Sequence, residues 1–128
     1  MKKMSFQVYQ IDGFDEPWWF EDDWHEHVVA VQTADSLEEA ARIFQGESLK
    51  LQGLFPKTRS RVEGMRAFWQ PGETDWCEPC ANDEQVYHSL VLYENQQALS
   101  ETRVNELTSI LDNINHRSSG KNHLKGEG

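Results

Sequence analysis

Cys77 and Cys80 are the only cysteines of the chain, set in the run Trp76, Cys77, Glu78, Pro79, Cys80, and His88 follows eight positions later. Two thiols at this spacing can reach one metal ion, or each other, through a tight turn. Zinc takes four N, S or O ligands in a tetrahedron. Cys77 and Cys80 supply two thiolates, and His88, His25 and His27 are the candidates for the remainder. Strand alternation puts His88 on one face with Leu90 and Leu92, and His25 and His27 on one face with Val29 and Val31, so neighbouring strands would bring the imidazoles toward the cysteine turn. The plainer expectation is a partly buried His88 in an ordinary hydrogen bond, and two reduced cysteines that help pack a turn behind Trp76.

Thiol redox chemistry is the other use of the pair, since Trp, Cys, x, Pro, Cys also resembles the active-site turn of thioredoxins, where a helix N-terminus lowers the pKa of the first cysteine. Two features oppose it. No proline follows Pro79, and Glu78 with the surrounding carboxylates raises a thiol pKa by like-charge repulsion.

A second constellation threads Pro17, Trp18, Trp19, Phe20 and Trp24 through Glu16, Glu21, Asp22, Asp23 and Glu26. Rings and carboxylates so mixed can hold a Lys or Arg side chain of a basic protein or peptide, by cation–π contact on the ring and ion pairing at the rim. Trp18, Trp19, Trp24, Glu21, Asp22 and Asp23 are the residues expected to do so, and the competing expectation is that two or three of the rings are simply core. A third group, Lys57, Arg59, Arg61 and Arg66, is a candidate patch for weak, salt-sensitive binding of nucleic acid. The acids near Asp12 lack the alternating oxygen ligands and central glycine of an EF-hand. No phosphate-cradling glycine loop, nucleophile elbow or helical His-Glu-x-x-His pair is present, so the expectation is a non-catalytic protein with no cofactor except, on the alternative reading, zinc.

The charge is arranged in blocks. Asp12 to Glu39 holds ten acids and no Lys or Arg, Arg42 to Arg66 six basic residues against two acids, and Glu73 to Glu101 seven acids and no basic residue, for a net charge of -10. Such blocks are either solvated faces that partly neutralise one another in the fold or a split surface that attracts basic partners. A chain of 128 residues matches one domain. Its apolar share is only 38%, so the 14 aromatic residues should dominate the core. No apolar run suits a membrane span or a signal peptide, which leads to the expectation of a cytoplasmic protein with reduced thiols.

The elements that must position these groups follow from periodicity. Strands are expected over Phe6 to Ile11, His27 to Gln32, Met65 to Trp69 and Val86 to Tyr93. Ser36 with Glu39 makes a capping box for a helix whose stripe is Leu37, Ala40, Ala41 and Phe44 and which stops before Pro56. A last helix starts near Ser100, with Val104, Leu107, Leu111 and Ile114 on one face. The result is an α+β domain over residues 1–117, in which a small antiparallel sheet of about four strands is covered by two helices in the order ββαββα, followed by a disordered tail over 118–128.

Glu16 to Trp24, then Ala67, Phe68, Trp69, then Trp76, Cys77, Glu78, Cys80, and then Gln85, Tyr87, His88, Ser89 and Leu90 together resemble a small family of Gram-positive bacteria, domain of unknown function 1033. The resemblance spans about Phe6 to Glu94. Some relatives carry a DNA-binding label, which the resemblance would extend to this chain, whereas its acidity opposes a polyanion. The resemblance assigns no catalytic residues. From the residues themselves, the expected function is a cytoplasmic accessory or regulatory protein that engages a basic partner through the acidic aromatic surface.

Overall fold

The computed structural model describes residues 4–127, with side chains through residue 115. Eight strands and two helices run in the order β1 (Phe6–Gly13), β2 (Val28–Ala34), α1 (Leu37–Leu54), β3 (Lys57–Val62), β4 (Met65–Trp69), β5 (Thr74–Cys77), β6 (Asn82–Gln85), β7 (Tyr87–Glu94), β8 (Gln97–Ala98) and α2 (Glu101–Glu127). Two short 3-10 turns, Pro17–Trp19 and Asp22–His27, lie between β1 and β2. The tail expected from Ser118 lies outside the residues whose side chains are described.

The fold is α+β, with six strands rather than about four in the main sheet. Its order is β2-β1-β7-β4-β3, with β8 added to β7 and every pair antiparallel, while β5 and β6 form a separate hairpin. The order ββαββα is corrected mainly by β3. Its sequence, Lys-Thr-Arg-Ser-Arg-Val, has no apolar alternation because it is an outer strand, exposed over Lys57 to Arg61. An outer strand can be held by its ladder alone, without burying a side-chain row.

Alternation along β1 and β7 gives the sheet two apolar faces. Phe6, Val8, Phe68, Leu90 and Leu92 lie on one and are covered by Leu37, Ala40, Ala41, Phe44 and Leu51 of α1 and Leu107 and Leu111 of α2. Ser36 starts α1 by accepting the Glu39 N–H at 3.1 Å, and the Glu39 carboxylate accepts the Asp35 N–H at 3.2 Å. A cap of this kind stabilises by about 1 kcal/mol. Arg103 joins α2 to the sheet through Glu94, with contacts of 2.9 and 3.3 Å, and its guanidinium lies over the Phe6 ring.

The opposite face carries Tyr9, Ile11, Val91 and Tyr93. No helix covers it. Instead Phe20 and Trp24 from the 3-10 segment, with Val28 and Met65, pack against these residues. The acidic aromatic run is therefore the cover of the second sheet face. Among the described residues, no helix is long and apolar enough to cross a membrane.

Candidate functional site

The cysteine turn closes the β5–β6 hairpin. Cys77 ends β5 opposite Asn82, and Ala81 takes a left-handed conformation with φ 51° to turn the chain back. This turn brings the Cα atoms of Cys77 and Cys80 to 5.2 Å, within disulfide reach, and the two are joined by a disulfide. The reduced packing pair expected from the sequence is thus replaced by a covalent clip on the hairpin tip. Cys77 is buried, while Trp76 is 55% exposed and donates its indole N–H to Glu78 at 2.7 Å.

His88 shares its sheet face with Leu90 and Leu92, opposite Asp12 on β1 and Phe68 on β4. Its ring stacks on Phe55 at 4.2 Å. Nε2 is hydrogen-bonded to Glu73 at 2.9 Å. Nδ1 lies 3.0 Å from Asp12 Oδ1, an ion-pair separation, and among the described residues that oxygen has no hydrogen-bond partner. Burial opposes protonation of His88, whose side chain is 12% exposed. The hydrogen bond to Glu73 and the negative charges of Glu73 and Asp12 together outweigh burial and raise the pKa above that of a free imidazole. His88 is a tie between the sheet and the segment leading into the hairpin.

His25 and His27 are not strand residues, because Asp22–His27 is a 3-10 turn and β2 begins at Val28. His25 stacks on Trp24 with centroids 3.5 Å apart, and His27 lies 3.7 Å from Asp23. β1 separates β2 from β7, so the histidines do not meet across neighbouring strands. Among the described residues, no three His, Cys, Asp or Glu side chains are grouped to hold a metal ion.

The acidic aromatic run and the basic run find each other. Arg61 lies over the rings of Trp18 and Trp19, at 5.8 and 5.3 Å from their centroids. Arg59 pairs with Glu16 at 3.2 Å and lies over Trp69 at 5.8 Å. Lys57, Arg59 and Arg61 alternate onto one face of β3, whereas Arg66 of β4 points to the opposite, helix-covered face. There Arg66 pairs with Glu63 at 2.9 Å and lies over Phe44. The four basic residues are therefore not one patch, and two of the three on the shared face are engaged within the chain.

Trp24 meets Tyr9 and Tyr93 edge-to-face at centroid separations of 5.0 and 5.1 Å. It also helps wall a cavity of about 500 Å3 between the end of β1, the 3-10 segment and the disulfide tip. Asp12, Asp15, Glu21 and Asp23 contribute carboxylates, Phe14, Phe20 and Trp24 rings, and Cys77, Pro79 and Cys80 the far wall. Among the described residues, no Lys or Arg lines it. Among the described residues, neither Asp15 nor Glu21 is in an ion pair. Of the six residues expected to bind a partner, Glu21, Asp23 and Trp24 line this cavity. Trp18 and Asp22 line a shallower hollow beside it, and Trp19, 58% exposed, faces Arg61.

Sequence reasoning missed Asp12, Phe14 and Asp15 as part of the site, and Glu73 as a partner of His88. A strand that ends in Asp and Gly directly before an acidic run was the available signal for the first three; none marked Glu73.

No curated protein and no solved structure is detectably similar to the chain. Over residues 5–122, which include both sheet faces, the cavity and the disulfide hairpin, the chain belongs to the family described as protein of unknown function (DUF1033).

Proposed function

We propose that this chain is a non-catalytic cytoplasmic accessory protein that engages a basic partner by taking a Lys or Arg side chain into the cavity beside the disulfide. The observation that carries this reading is the lining itself: four carboxylates and three aromatic rings converge on about 500 Å3, with His27 but no Lys or Arg among the described residues that line it. A cation entering such a space meets carboxylates across a partly apolar medium, where one close opposite charge is worth about 4 kcal/mol before desolvation at an effective dielectric constant near 20. The net gain after desolvation is smaller, on the order of 1 kcal/mol per pair. Rings at the wall add cation–π attraction.

The test is isothermal titration with a short lysine- or arginine-rich peptide. Asp15→Asn combined with Glu21→Gln should weaken binding at least tenfold at low salt, with an unchanged circular dichroism spectrum. Retained affinity in that folded variant would refute the cavity as the site. Nucleic-acid binding by the basic strand has less support, because Arg59 and Arg61 already face Glu16 and the Trp18 and Trp19 rings. A mobility shift that survives moderate salt and is lost on Arg59→Ala and Arg61→Ala would reverse that ranking.

A second reading is favoured by the disulfide. Cys77 and Cys80 both line the cavity, so a thiol exchanging with them would approach through the same opening. On this reading the pair cycles between dithiol and disulfide in a glutathione titration. A disulfide that stays closed across the whole cytosolic range of glutathione poise would exclude it.

A further inference from the structure

The two outer strands of the sheet are built in opposite ways. β3 places Lys57, Arg59 and Arg61 along its length, the usual protection of an edge against another strand. β2, at the other edge, reads Val-Val-Ala-Val-Gln-Thr-Ala, with no charge and no proline. Its residues from Val29 to Thr33 are exposed, Val29 at 56% and Val31 at 49%. Its single irregularity is the register shift at Gln10/Ile11, opposite Val29; from Ala30 to Ala34 the pairing to β1 is regular. Alternate residues of such a strand aim their backbone N–H and C=O groups away from β1, and among the described residues no strand pairs with that side.

We infer that β2 is a docking edge for an extended, Lys- or Arg-rich segment of a partner protein, which adds to the sheet as a strand. Charge selects the occupant. Asp22, Asp23 and Glu26 precede β2, and Asp35, Glu38 and Glu39 follow it. A second copy of this chain, paired parallel or antiparallel, would set acid against acid at both ends of the strand. A basic segment meets opposite charge at both. Backbone pairing along an edge supplies affinity with little demand on sequence, and side chains supply the selection. The inference rests on the cavity reading and extends it: His27, the residue before β2, is part of the cavity wall, so the docked strand ends where the cationic side chain is taken up.

The test uses the full chain and a capped octapeptide of alternating lysine and valine. One control peptide is N-methylated at its four central residues, which removes backbone donors and keeps the charge. Another has glutamate in place of lysine. The parent peptide is expected to bind and to slow amide exchange over Ala30 to Ala34 at least tenfold. The methylated peptide should bind at least tenfold more weakly, and the glutamate peptide not at all. Equal binding of the methylated peptide, or protection that leaves β2 untouched, overturns the edge; the cavity reading then survives if Asp15→Asn with Glu21→Gln still weakens the parent peptide. Protection of β2 with no effect of that double variant supports the edge and refutes the cavity. No binding of the parent peptide up to millimolar concentration overturns both. Sedimentation that shows a dimer broken by Val31→Lys overturns the choice of occupant.

Discussion

Replacing Trp24 with alanine separates a ring that holds the fold from the rings that merely decorate its surface. Trp24 is partly buried, meets Tyr9 and Tyr93 edge-to-face and stacks on His25. A covered aromatic side chain buries about 150–250 Å2, and the lower figure suits a ring that is open on one side. At ~25 cal/mol per Å2 this gives an upper bound near 4 kcal/mol, before local collapse recovers a part. We expect a loss of about 3 kcal/mol, at the low end for aromatic-to-alanine changes in cores. With a urea m-value of about 2 kcal/mol/M, the unfolding midpoint falls by roughly 1.5 M. Trp76→Ala is the internal control: its ring is 55% exposed and its indole N–H is bonded to Glu78, so its midpoint should move by less than about 0.3 M, within the usual range for surface changes. Urea titrations followed by far-ultraviolet circular dichroism measure both. If Trp24→Ala costs no more than Trp76→Ala, the 3-10 segment is not a cover for the second sheet face, and the cavity it walls loses its rigid support.

His88 binds a proton more tightly folded than unfolded, so its contribution to stability is complete below the unfolded imidazole value of about 6.5 and is lost as pH rises through the higher folded value. The difference in urea midpoint between the parent and His88→Gln should therefore shrink as pH rises from the unfolded imidazole value through the higher folded one, and a difference independent of pH would contradict the Glu73 and Asp12 clamp. Gly64, at φ 96°, has the Leu107 side chain 3.2 Å from where a Cβ would stand, so Gly64→Ala should cost about 1–3 kcal/mol in the same titration, and a neutral result would mean that the β3–β4 turn relaxes freely. Reduction of Cys77–Cys80 opens a loop of only four residues, for which chain entropy predicts about 2 kcal/mol at most. Exchange measured with and without reductant should show the loss confined to the hairpin; a collapse of protection in β1 or β7 would show that the clip supports the main sheet.

What could be read from the sequence was what one element decides alone. Ser36 and Glu39 marked the start of α1, Pro56 its end, and alternation along β1 and β7 located the central strands, because capping and periodicity are local. β3 escaped because an outer strand need not bury a face, and its lysine and arginines read as a charge block instead. The strand face of His88 was legible, but its carboxylate partners were not: Asp12 comes from across the sheet, and Glu73 from a loop fifteen residues away in sequence. The aromatic run illustrates the same limit. Its composition suggested a surface for cations, and the fold assigns its rings to separate tasks, Trp24 to packing and Trp18 and Trp19 to a cation already in the chain.

That cation sets a threshold for everything outside. Arg61 is tethered beside Trp18 and Trp19, and a group held on the same chain competes at an effective concentration on the order of millimolar. A free arginine or lysine that binds those two rings more weakly than this cannot displace it, whatever its charge. The indole pair is therefore closed to the background of weakly basic molecules and open only to a ligand that brings further contacts of its own. Selection at this surface begins with an occupant that the protein itself supplies.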